Sequence, residues 1–122
     1  MEKIAESLGH AHGEASNIIT LLENRLAMDT PPIIGSTLEG LRDIIASANN
    51  KSRVGVCIDT CHAFTAGYDF RARDTFSKFW EEFDRVVEAK YLKTLHLNGR
   101  RLPLEEGLAS TYWTGLFGVA GV

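Results

Sequence analysis

Apolar residues follow two alternating spacings along the chain. Ile4, Ala5, Leu8 and Ala11 recur every three or four positions, so the first segment is expected to be a helix ending near Gly13. The run Ile18-Ile19-Thr20-Leu21-Leu22 is short, apolar and β-branched. It predicts a strand buried on both faces that ends at Glu23-Asn24. Residues 25–35 contain Asp29-Thr30-Pro31-Pro32 and read as a loop. Ser36 or Thr37 can cap a helix reaching about Ala48, with Leu38, Leu41, Ile44 and Ile45 on its inner face. After a turn at residues 49–52, Val54-Gly55-Val56-Cys57-Ile58-Asp59 predicts a second buried strand with its acid at the C-terminal end. Residues 60–68 read as a loop or short helix. A longer helix is expected from Asp74, taken as its N-cap, to about Ala89, with Phe76, Phe79, Trp80, Phe83, Val86 and Val87 as its apolar stripe. Tyr91 to Leu97 predicts a third strand with His96 near its end. Helices alternating with strands in this order imply parallel βα units and an α/β fold. Beyond Asn98 the periodicity stops. Residues 99–122 carry Arg100-Arg101, a proline and glycines at 107, 115, 118 and 121, and read as a tail.

Length and composition narrow the function classes. The chain has 122 residues, enough for one domain, and its 44% hydrophobic and 24% charged residues are those of a globular protein. No apolar run approaches the roughly 18 residues that span a bilayer. The first six residues hold two acids and no apolar core, so neither a signal peptide nor a transit peptide is expected. Two cysteines are too few for a disulfide scaffold, which points to a reducing, intracellular compartment. Thirteen basic against 16 acidic residues give a net charge of −3. That argues against wholesale coating of a polyanion but leaves room for a local site on DNA phosphate.

The candidate chemistry sits at the strand ends. The three predicted strands finish at Glu23, Asp59 and His96, and His62 follows Asp59 by three positions. Strand C-termini of parallel βα proteins share one face, so these side chains can converge on a metal. Carboxylate oxygen and imidazole nitrogen are ligands zinc accepts. The plainer reading makes the acids helix caps or loop residues and the histidine a hydrogen-bonded core residue. Cys57 reads as a small core residue, and Cys61 as packing, with a ligand or reactive thiol as its alternative. His10 and His12 lie two apart on a helix and point in different directions, so they read as surface residues. Glu81, Glu82, Asp84 and Arg85 read as a solvated helix face. Arg71, Arg73, Arg100 and Arg101 read as surface charges, with phosphate contact as the alternative.

The stretch SRVGVCIDTCHAFTAGYD, residues 52–69, closely resembles the core signature of the endonuclease IV family. Leu21-Leu22-Glu23-Asn24 and Tyr91-Leu92-Lys93-Thr94-Leu95-His96-Leu97-Asn98 agree with the same family in order and spacing, and Ile4-Ala5-Glu6-Ser7 fits its preceding helix. The resemblance covers about residues 1–98. It implies a TIM barrel with three zinc ions at the C-terminal face, acting on double-stranded DNA that carries abasic sites. The implied reaction is phosphodiester hydrolysis 5′ to the abasic site in base-excision repair. By position, Glu23 would bridge two zincs, Asp59 and His96 would bind the second, and His62 the third. Glu23, Asp59 and His96 would thus serve catalysis through zinc. No DNA-contacting residue and no oligomeric state is assigned.

A full barrel needs about 250 residues, and this chain offers about three βα units. It is therefore expected to be a central fragment: a partial barrel over residues 1–98 with a non-family tail over 99–122. The family's remaining zinc ligands lie upstream and downstream of the matched part. The loop after Asn24 and Gly99, where aspartate is usual, depart from the family pattern. Two alternatives accompany this reading: a catalytically inactive truncated isoform, and a metal-dependent barrel enzyme of the sugar-isomerase kind. The repair role implies nucleus or mitochondrion in a eukaryote and cytoplasm in a bacterium.

Overall fold

The structure, a computed structural model, describes residues 1–26 and 34–98. Most of the expected loop at 25–35 and the whole expected tail lie outside the described residues. In order, the elements are α1 (Glu2–Glu14), β1 (Thr20–Glu23), α2 (Leu38–Ser47), β2 (Val54–Asp59), α3 (Thr60–Thr65), α4 (Arg73–Val86) and β3 (Leu92–His96). Among the described residues the sheet has three parallel strands in the order β1-β2-β3. This is the α/β arrangement of consecutive parallel units expected from the sequence. Among the described residues both edges of the sheet are open. No helix among the described residues is long and apolar enough to cross a membrane.

The central strand explains the core. Every residue of β2 is buried, because it has a strand on each side and helices over one face. Leu38, Leu41, Ile44 and Ile45 of α2 join Val54, Val56 and Ile58 of β2 and Phe79, Phe83 and Val86 of α4 in one cluster. Phe83 lies among aromatic neighbours, with ring centroids 5.7 Å from Trp80 and 6.4 Å from Phe79.

The outer strands differ from expectation. β1 alternates between half-buried and exposed positions rather than being buried on both faces. Among the described residues it pairs only with β2, so Leu21 stays 43% exposed. β3 lies at the other edge, and Leu95 and Leu97 are likewise exposed.

Helix ends follow local chemistry. Thr37 caps α2, its hydroxyl accepting from the Gly40 amide at 3.1 Å. A Cβ on Gly40 would stand 2.9 Å from the Gly35 nitrogen, so this turn closes only around glycine. Asp74 does not cap α4. The cap position is Ala72, and Asp74 lies inside the first turn, where its charge still complements the helix dipole. α4 ends before Ala89 because Glu88 turns to φ 75°, while Asp84 accepts from the Ala89 amide at 2.8 Å.

Arg53 ties α1 to the strand layer. Its guanidinium donates to the carbonyl oxygens of Ile18 at 3.0 Å, His12 at 2.8 Å and Ala15. These are carbonyls at and after the C-terminus of α1, where backbone acceptors lack helical partners. Arg53→Ala is expected to lower stability by about 2 kcal/mol, on the scale of charged hydrogen bonds. A urea melt followed by circular dichroism measures this, and an unchanged midpoint would contradict the role.

Candidate metal centre

Strand register builds the site. Glu23 lies opposite Cys57, and Asp59 opposite His96. Neighbouring residues of parallel strands share a face, and so do residues two apart. Glu23, Cys57, Asp59 and His96 therefore project from one face, at the C-terminal ends of their strands. His62 enters from α3, which begins directly after β2.

Asp59 is held most firmly. It is 2% exposed, and its Oδ1 accepts from the amides of Cys61 at 2.8 Å and His62 at 3.0 Å, capping α3. Its Oδ2 accepts from Asn98 Nδ2 at 2.8 Å. The plainer expectation of a helix cap is met. Oδ1 has both lone pairs engaged, whereas Oδ2 retains one for a cation. Asn24 fixes the same corner, accepting from the Asp59 amide at 2.7 Å and donating to the Asp59 carbonyl at 3.1 Å. Thr60 does the same for the end of β3, with its hydroxyl 2.8 Å from the Asn98 carbonyl and 2.9 Å from the Asn98 amide.

Glu23 occupies the space between the two imidazoles. Its Oε1 lies 3.3 Å from His96 Nδ1 and 3.7 Å from His62 Nδ1. His62 Nδ1 is also 2.8 Å from the Asn24 carbonyl oxygen. A carbonyl has no hydrogen to give, so Nδ1 donates there and Nε2 of the neutral ring keeps its lone pair. A carbonyl orienting an imidazole in this way is the usual support of a metal-binding histidine. Among the described residues, two groups have donor atoms within 4.8 Å of one another: Glu23, Asp59 and His62, and Glu23, Cys57 and His96. The four expected ligands are divided between these groups: Asp59 falls with His62, and His96 with Cys57 rather than with Asp59, while Glu23 belongs to both.

Other candidates fall elsewhere. His12 is half-buried, its Nε2 3.1 Å from the Thr20 hydroxyl, and His10 is exposed. Neither belongs to a candidate metal group among the described residues. Both cysteines are buried and form no disulfide among the described residues, and Cys61 joins neither group. Arg71 grips Asp69 with two 2.9 Å hydrogen bonds and lies 5.6 Å from the Phe64 ring centre. The hydrogen bond from Arg71 holds the Asp69 carboxyl down to about 2, so this guanidinium already has its anion. Arg100 and Arg101 lie outside the described residues.

Sequence reasoning singled out the four donors but gave no role to Asn24, Thr60 and Asn98. Their only signal was position, each next to or two beyond a strand-end ligand.

Comparison with known proteins places the chain. The family described as the xylose isomerase-like TIM barrel matches residues 1–120. The chain belongs to that family. The match runs past residue 98, where the sequence periodicity stops. The chain is 43% identical over 108 residues to "Apurinic-apyrimidinic endonuclease 1" of Plasmodium berghei, covering 88% of this chain and 21% of that protein. It is 42% identical over 104 residues to the Saccharomyces cerevisiae protein of the same name, covering 85% and 28%. It is 39% identical over 104 residues to "Probable endonuclease 4" of Chlorobium limicola, covering 85% and 35%. The chain thus spans about a fifth to a third of the length of these relatives. Their names agree with the resemblance carried by residues 52–69.

Proposed function

We propose that this chain provides the central strand ends of a zinc-dependent endonuclease that cuts DNA 5′ to abasic sites. The observation that carries the reading is Glu23 Oε1 standing between His96 and His62, beside the buried Asp59. A carboxylate in that position can bridge two cations. The donor set of two carboxylates and two imidazoles fits zinc, which takes three protein ligands in catalytic sites and leaves a position open. Once bound, zinc acidifies water and offsets charge on phosphate oxygens during in-line displacement.

The chain's own residues do the positioning. Asp59 is locked by two backbone amides and Asn98, so its free lone pair has one direction. His62 is aimed by the Asn24 carbonyl. Fixing donors in advance in this way is the preorganisation that transition-state stabilisation requires. The abasic nucleotide suits such a site because no paired base has to be unstacked to reach it.

The family description alone would also fit a sugar isomerase. The names of relatives at 39–43% identity favour the nuclease. The test is a chimaera in which this chain replaces the matching segment of the yeast protein. The chimaera is expected to incise a duplex carrying one synthetic abasic site. Glu23→Gln in that background is expected to reduce incision at least about 100-fold, beyond what loss of a supporting residue does. Equal rates for the two, or isomerisation of an aldose without incision, would overturn the reading.

A further inference from the structure

The second donor group contains a sulfur that the zinc reading does not use. Cys57 is 2% exposed, a free thiol, and lies opposite Glu23 on the face that carries the site. Its Sγ lies within 4.8 Å of the donor atoms of Glu23 and His96. It is two residues below Asp59 on β2, one pleat deeper towards the N-terminal end of the strand. The carboxylate–imidazole site already accounts for Glu23 and His96, and strand register sets the Cys57 sulfur beside both, an arrangement that offers one soft and two borderline or hard donors.

We propose that Glu23, Cys57 and His96 form a sulfur-containing cation site beneath the carboxylate–imidazole site, one that selects soft divalent ions such as cadmium. The inference rests on the reading that Glu23 and His96 are cation ligands, and adds the sulfur to it. Binding forms a metal–sulfur bond, and the thiol proton leaves to solvent. Glu23 and His96 then belong to both sites, so a soft ion drawn to the sulfur competes directly for two ligands of the first. Cadmium is therefore expected to displace zinc more readily than a sulfur-free site would allow.

Cobalt(II) titration of the purified chain reads the sulfur directly, because only a thiolate ligand gives an intense near-ultraviolet charge-transfer band. The band is expected in the wild type, to persist in Cys61→Ala and to vanish in Cys57→Ala with cobalt still bound through visible ligand-field absorption. Cadmium is expected to displace cobalt from the wild type at least about tenfold more readily than from Cys57→Ala, in keeping with the preference of thiolate for soft ions. Ligand-field bands without a charge-transfer band in the wild type would overturn the sulfur site and leave the zinc reading standing. No cobalt spectrum at all would overturn both. The wild-type spectrum decides even where a variant fails to fold.

Discussion

Asp59→Ala is expected to lower stability by about 3 kcal/mol and to remove tight zinc binding together. The carboxylate caps α3 through two amides and accepts from Asn98, all in a buried corner. Losing an N-cap costs about 0.5–2 kcal/mol, and stranding further buried donors adds about 1–3 kcal/mol. Removing a buried charge recovers part of its desolvation, which holds the sum near the middle of that range. Asp59→Asn separates the two roles. An amide oxygen can still cap α3, so most of the stability is expected to remain while zinc affinity falls. Urea melts in the presence of a chelator measure the first effect, and zinc competition with an indicator measures the second. An alanine variant as stable as the wild type would contradict the capping role.

Phe83→Ala carries the largest expected loss of stability, about 3–5 kcal/mol. Phe83 is 1% exposed on α4, in the cluster that joins α2, β2 and α4. Truncation leaves a cavity that Phe79 and Trp80, packed edge-on at 4.9 Å, cannot fill without leaving their own positions. Phe83→Leu keeps most of the volume and is expected to lose about 1 kcal/mol. Thermal melts order the two variants, and a smaller loss for alanine than for leucine would contradict the packing account. Neither substitution touches a proposed ligand. Zinc affinity, measured at a temperature where the leucine variant is fully folded, is expected to match the wild type.

The sequence was most legible where one residue type had one physical use. The continuous apolar run of β2 specified a strand buried on both sides, and its terminal acid marked the site. The stripe of α4 specified its inner face. Exposure of β1 and β3 was not legible, because apolar side chains at a sheet edge look the same in sequence as those in the middle. Nor was the end of α4, which depends on a backbone turn at Glu88 that composition does not announce. In the site, Glu23, Asp59, His62 and His96 stood out as ligand types at strand ends. Asn24 and Asn98 did not, since an asparagine after a strand is ordinary turn chemistry. Their contacts cross 35 and 39 residues of chain to Asp59, and local pattern carries no information at that separation. Cys57 was read as core from its apolar neighbours in the strand. Register, which brings Glu23 and His96 beside it, was needed to see it as a donor.

The most direct test of the central claim is zinc binding by the purified chain, followed by competition with a chromophoric indicator and compared with Glu23→Gln. Glu23 belongs to both donor groups, is 41% exposed at its side chain and caps no helix among the described residues, so the variant removes a candidate ligand without removing a helix cap. The wild type is expected to bind zinc, and Glu23→Gln to bind it at least about tenfold more weakly with an unchanged circular dichroism spectrum. Equal zinc affinity in the two proteins would contradict the claim that these strand ends are a metal centre.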